Sequence, residues 1–298
     1  MERIQDIRQM QERAESLRLS GKRIAFVPTM GYLHEGHLSL IDAAADCDII
    51  IVSIFVNPTQ FGPGEDYESY PRDLERDIAL AEGRGAHIVF HPSARDMYGG
   101  DPLTGVEVAS ITEVLCGASR KGHFRGVATV LTKLFHIVKP HVAVFGQKDA
   151  QQAAVVLKMV EDLNMDIRIR IAPVVRESDG LAMSSRNVRL EAEDRKNAAR
   201  LSQILFGIRD KFANGEPLDK LLEEGRAAIR KIPGASLEYL EARSYPELQA
   251  LKNKDSDANI LIALAARFGK VRLIDNVLIP GESGRKEHGK APGKRNAL

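Results

Sequence analysis

Along the first 175 residues, short apolar runs alternate with longer stretches in which apolar and polar residues recur at helical spacing. Residues 24–27 read Ile-Ala-Phe-Val, residues 49–56 are apolar except for Ser53, and residues 88–90 and 142–145 repeat the pattern. Continuous apolar runs of this length suit parallel strands covered on both faces. Residues 35–45, 73–82, 126–138 and 149–163, which lie between or after them, have the periodicity of amphipathic helices. The alternation predicts an α/β fold: a doubly wound parallel sheet with right-handed crossovers. Ligands of such sheets bind beyond the carboxyl ends of the strands, where loops lead into helices.

Residues 167–175 form a further strand-like stretch in which Arg168 and Arg170 alternate with apolar positions. After Ser178-Asp179-Gly180 the character changes. Two helical segments (191–212 and 218–231) are followed by Pro233-Gly234 and by short strands near 237–241, 259–266 and 271–275. This predicts a smaller α+β domain, with the boundary between 176 and 187 and the domains spanning 1–176 and 177–283. No internal repeat is evident.

The chain has 298 residues with 42 Lys+Arg against 41 Asp+Glu, which argues against a broad basic face for nucleic acid or an anionic membrane. The balance is uneven. Residues 284–298 hold five of the basic residues (Arg285, Lys286, Lys290, Lys294, Arg295) and one acid, Glu287, leaving 37 basic and 40 acidic groups in residues 1–283. The tail is Gly-containing and lacks an apolar run, so it is expected to be a disordered basic extension. Two cysteines, Cys47 and Cys116, cannot make a disulfide framework and suit a reducing compartment. The N-terminus carries charges where a signal peptide needs an apolar centre, and no apolar stretch approaches the ~20 residues of a membrane span. The expectation is a soluble, cytoplasmic protein.

Functional groups crowd the ends of the apolar runs. After the first comes Pro28-Thr29-Met30-Gly31-Tyr32-Leu33-His34-Glu35-Gly36-His37. His34 and His37 share one face if a helix has begun there, and a helix N-terminus with free N–H groups favours bound phosphate. A metalloprotease zinc helix needs its histidines four apart with Glu beside the first, and here they are three apart. Gly31–Gly36 and Gly117–Gly122 have P-loop spacing, but His37 and His123 stand where lysine must be, and no Gly-x-Gly-x-x-Gly occurs. A purely structural pair of histidines stays open at this point. The second run ends in Asn57-Pro58-Thr59-Gln60, an amide pair in a turn that either meets a ligand or caps the next segment. Residues 117–126 form a basic, glycine-rich loop that either orders around an anion or is simply exposed. The fourth run ends in Gly146-Gln147-Lys148-Asp149, with Gln152 one turn on. Lys148 suits phosphate oxygens; Asp149 suits ribose hydroxyls or a helix cap. Met183-Ser184-Ser185-Arg186-Asn187 adds two hydroxyls and a guanidinium near the expected boundary.

His34–His37 after a first strand and the later Met183–Arg186 resemble the HIGH and KMSKS signatures of the HIGH-motif nucleotidyltransferases. With residues 55–61, 122–129 and 146–152 added, the chain resembles the pantoate–β-alanine ligase (pantothenate synthetase) family over about residues 1–282. The resemblance implies a Rossmann-like N-terminal domain, a smaller C-terminal domain closing over the nucleotide, and a homodimer. It implies that pantoate attacks the α-phosphate of Mg2+-bound ATP and that β-alanine then attacks the resulting pantoyl adenylate, giving pantothenate and AMP. By the same resemblance Met30, Gly31, Tyr32, Leu33, His34, Glu35, Gly36 and His37 line the ATP site, with His37 the proton donor and His34 a phosphate contact. Gly146, Gln147, Lys148, Asp149, Val175, Met183, Ser184, Ser185 and Arg186 complete it, Lys148 acting on phosphate. Gln60 would contact both pantoate and β-alanine, and Gln152 pantoate. No residue is assigned to Mg2+. An unperturbed histidine titrates near pH 6.5, so His37 is expected to change its donor state close to neutrality. Two alternatives differ in outcome: another HIGH-type adenylyltransferase would keep the nucleotide in its product, and a nucleotide-binding regulator would not turn over.

Overall fold

A computed structural model describes residues 1–251 and 257–281; the basic tail at 284–298 lies outside the described residues. The chain divides into two compact units, Met1–Leu190 and Glu191–Leu298.

The first unit is built on a six-stranded sheet. Its strands in chain order are β1 (Glu2–Ile4), β2 (Ile24–Thr29), β3 (Ile49–Ile54), β4 (Ile88–Phe90), β5 (Val142–Gly146) and β6 (Arg168–Ala172). Their spatial order is β1-β4-β3-β2-β5-β6, and every neighbouring pair is parallel. The apolar runs are strands because helices cover both faces: Ala25, Val27, Val52, Val89, Val142 and Val144 share one core with Leu38, Ile41 and Ile78 of two helices, and Phe26, facing the other way, packs edge-on against Phe135 of a third. From β2 the chain winds outward through β3 to β4, then returns to β5 on the other side of β2. That reversal makes the β2/β5 pair the switch point, where the loops leaving the two strands diverge and open a crevice.

Several elements differ in detail from expectation. Strand β1 has three residues, of which only Ile4 is buried, too little for an apolar run to register. The helix Ile7–Leu19 buries Met10, Ala14 and Leu17 at helical spacing among seven charged or amide side chains, which masked it. The helix expected from residue 126 starts at His123, and residues 191–212 form two helices, Ala192–Ala198 and Arg200–Ala213. Strand β6 stops at Ala172, before Pro173, because proline cannot donate to the ladder.

The second unit holds an antiparallel sheet of β7 (Ala235–Tyr245), β8 (Asn259–Phe268) and β9 (Val271–Ile279) in that order, with Arg200–Ala213 and Leu218–Arg230 packed on it. The expected boundary at 176–187 and the division after Leu190 differ for a local reason. Arg176 bridges Ala182, and Asn187 Nδ2 donates to Glu177 Oε1 at 2.7 Å and to the carbonyl of Ala182 at 3.1 Å. These bonds fold residues 176–187 into a compact loop within the first unit.

Candidate active site

The loop after β2 is set by a buried carboxylate. Asp77, 1% exposed, accepts the main-chain N–H of Tyr32 at 2.6 Å and of Leu33 at 2.7 Å. These bonds hold a turn in which Gly31 (φ +83°) and Tyr32 (φ +49°) are both left-handed, a costly conformation for a side chain such as tyrosine. Arg76 braces the turn from outside, donating to the carbonyl of Leu33 at 3.0 Å and lying 5.0 Å from the centre of the Tyr32 ring. Burial pushes the Asp77 carboxyl above its ordinary pKa although the two N–H groups favour its charge.

The turn delivers the chain to the helix Glu35–Asp42, capped by histidine instead of Ser or Asp. His34 Nδ1 accepts the N–H of Gly36 at 3.1 Å, and His37 Nδ1 accepts the N–H of His34 at 3.4 Å. The rings lie 4.1 Å apart between centres. An accepting Nδ1 leaves the ring proton on Nε2, so each neutral imidazole retains one donor, Nε2–H. Burial lowers the pKa of His34 to about 4, and the Lys148 charge acts in the same direction. Burial, then His34 and Lys148, bring His37 well below its ordinary value. This corrects the expectation of a histidine switching near neutrality: both rings are neutral there, because a buried imidazolium facing Lys148 is disfavoured.

Both rings line a cavity of about 190 Å³ beyond the ends of β2 and β5. Of the expected nucleotide set, Met30, His34, Gly36, His37, Gly146, Lys148, Asp149, Val175, Met183, Ser184, Ser185 and Arg186 line it. Gly31, Tyr32, Leu33, Glu35 and Gln147 do not: Leu33 is in the core, and Glu35 pairs with Arg84 at 3.2 Å. Lys148 Nζ stands 3.8 Å from Asp149 Oδ2, and Asp149 makes no side-chain cap on the helix Ala150–Asp162. Arg186 grips Asp66 through Nε and Nη2, both at 2.9 Å, and lies 5.5 Å from the centre of the Tyr70 ring. Burial alone would lower its pKa; the hydrogen-bonded Asp66 holds it above its ordinary value. Ser185 Oγ donates to the carbonyl of Tyr32 at 3.3 Å, tying this loop to the one after β2.

Gln60 and Gln152 also line the cavity, beside an apolar wall of Val127, Val130, Leu131 and Leu134. Asn57 caps the short helical turn Pro58–Gln60 and donates from Nδ2 to Gln60 Oε1 at 3.2 Å, so the amide pair acts as a cap and as an orienting contact at once. Tyr98 Oη donates to Asn57 Oδ1 at 2.6 Å, and Gln60 Nε2 lies 2.8 Å from Met30 Sδ. Among the described residues no group of three or more His, Cys, Asp or Glu gathers as a metal-binding cluster.

Asp77, Asp66, Tyr70 and Tyr98 support this site without having been singled out in the sequence. Asp77 left a signal: an acid beside Ile78 and Ala81 on the inward face of a predicted helix, where a charge is costly unless it holds something.

A family model described as pantoate-beta-alanine ligase matches residues 2–278. The chain belongs to the pantoate–β-alanine ligase family. It is 53% identical over 264 residues, 88% of this chain and 93% of the relative, to a pantothenate synthetase of Pelotomaculum thermopropionicum. It is 51% identical to that of Thermotoga neapolitana, covering 93% and 99% of the two chains. The solved pantothenate synthetase of Thermus thermophilus superposes with a TM-score of 0.86 at 42% identity, covering 93% of this chain and 99% of that one. A pantoate-beta-alanine ligase of Francisella tularensis, solved with beta-gamma ATP and beta-alanine, gives 0.77 at 38% identity, covering 93% and 97%. As a member of this ligase family the chain is an enzyme that forms an amide bond.

Proposed function

We propose that the cavity at the β2/β5 switch point makes pantothenate in two steps. A pantoate carboxylate oxygen attacks the α-phosphorus of ATP; the new P–O bond replaces the bond to the β-phosphate, and pyrophosphate leaves. The amine of β-alanine then attacks the acyl carbon, loses a proton, and AMP departs with the bridging oxygen. The observation that carries this reading is the convergence on one cavity of two Nε2–H donors, an ammonium and two carboxamides. No protein nucleophile is required, because the attacking group is the substrate's own carboxylate.

The first step brings two anions together. At 4 Å and an effective dielectric of 20, two unit charges repel by about 4 kcal/mol, an amount that one well-placed cation offsets. Lys148 is assigned that role, and its charge is felt at both histidines. His34 and His37 donate from Nε2–H to phosphate oxygens as neutral groups, so they stabilise developing charge without having to be protonated. Gln60 and Gln152 orient pantoate, and Gln60 also receives β-alanine. The apolar wall from Val127 to Leu134 keeps water from the acyl phosphate. Mg2+ enters as part of the substrate, bound to the ATP phosphates. Two buried cysteines, neither of them in a disulfide, suit a cytoplasmic setting, and the family resemblance adds a homodimer.

Pyrophosphate exchange tests the reading. Labelled pyrophosphate should enter ATP only when pantoate is present and without β-alanine, and adding β-alanine should release AMP. Exchange without pantoate, or none with it, contradicts the proposal and favours an adenylyltransferase or a non-catalytic nucleotide binder.

A further inference from the structure

The main-chain carbonyl of Gln60 is held by two side chains that do not line the cavity. His123 Nδ1 lies 2.7 Å from it and Arg120 Nη2 donates to it at 3.3 Å. Arg120 Nη1 is 3.0 Å from His123 Nε2, while its Nε and Nη2 donate to Glu65 at 2.8 and 2.5 Å. A guanidinium has donors only. His123 Nε2 is therefore the acceptor, and the ring proton sits on Nδ1, from which it is donated to Gln60. Burial, followed by the adjacent guanidinium, lowers the His123 pKa to about 4. The ring is a neutral link between an ion-paired arginine and the Gln60 peptide.

The turn is fixed from its other side as well. Asn57 Nδ2 donates to the carbonyl of Gly126 at 3.2 Å, and a Cβ at Gly126 would stand 2.3 Å from the carbonyl oxygen of Thr59. The helix His123–Val138 thus touches the turn directly through its backbone, with His123 at its first residue. Backbone and side chain of Gln60 are each hydrogen-bonded within the protein.

We propose that His123, backed by Arg120 and Glu65, is a positioning residue for pantoate: it fixes the Gln60 peptide and so the direction in which the carboxamide meets the acid. The inference rests on reading Gln60 as a pantoate-binding group. It is tested by measuring pyrophosphate release against pantoate and against ATP for Gln60→Ala, His123→Phe and His123→Asn. Asparagine presents an N–H where histidine carries Nδ1–H, whereas phenylalanine keeps the ring and loses the donor. Loss of this bond should raise the pantoate KM of His123→Phe about tenfold, leave the ATP KM unchanged, and be largely reversed in His123→Asn. The proposal is overturned if Gln60→Ala weakens pantoate while His123→Phe stays within about twofold of the unaltered enzyme. It is equally overturned if the Phe and Asn variants lose the same amount, or if ATP and pantoate dependence suffer alike. An unchanged pantoate dependence in Gln60→Ala removes the reading of Gln60 and this inference with it. Should His123→Phe fail to fold, 15N NMR of the unaltered enzyme decides: a proton on His123 Nδ1 supports the proposal, and one on Nε2 overturns it.

Discussion

His34 and His37 acquire their chemistry from the caps they make. Each gives up Nδ1 to a main-chain N–H and keeps Nε2–H as its donor. Their folded-state pKa values lie below that of a free imidazole, at about 4 for His34. The unfolded chain therefore binds more protons in the interval, so this contribution to stability is complete above about pH 6.5 and is lost as pH falls towards the folded values. Pyrophosphate release should show no inflection at about pH 6.5, and any histidine limb should lie nearer the acid end. His37→Ala should lose about 10²–10³ in the adenylation rate, and His37→Gln, which presents an amide N–H near Nε2–H, should recover part of it. An inflection near neutrality with no rescue by glutamine would mean that an imidazolium is needed.

At the scale of elements, the site depends on contacts between loops and helices that sequence spacing does not reveal. The apolar runs were legible because strands buried on both faces leave little choice of residue, and His34–His37, Gln60 and Lys148 were legible because each closely follows such a run. Asp77 reaches Tyr32 across 45 residues, Arg186 reaches Asp66 across 120, and His123 reaches Gln60 across 63; only the folded topology brings them together. Two variants probe these supports. Asp77→Ala removes the acceptor of one buried and one part-buried N–H group and should cost about 2–4 kcal/mol in denaturant unfolding, with the ATP KM rising more than the pantoate KM. An unchanged ATP KM in a folded variant would separate this carboxylate from the nucleotide loop. Gly126→Ala places a methyl group against the backbone of Thr59 and Gln60, which cannot yield without moving the turn. Overpacking of this kind should cost about 1–3 kcal/mol, and titration should show pantoate binding weakened with ATP binding retained.

At the scale of the whole molecule, strand order turns separate motifs into one site. Because β5 pairs with β2 and not with β4, the loops carrying the two histidines and Lys148 leave neighbouring strands. Near-neutral total charge said little about the ligand; the Lys148 charge acting on two neutral imidazoles says more, since the proposed reaction would develop negative charge on phosphate beside them. In the proposed reaction the substrate carboxylate attacks the α-phosphorus of ATP. That attack is followed by supplying pantoate labelled with 18O at both carboxylate oxygens and tracing the label through the complete reaction. AMP should gain one 18O for each pantothenate formed, and pyrophosphate none. Label in pyrophosphate or inorganic phosphate, or AMP with no label, would contradict an adenylate intermediate and the roles assigned to His34, His37 and Lys148.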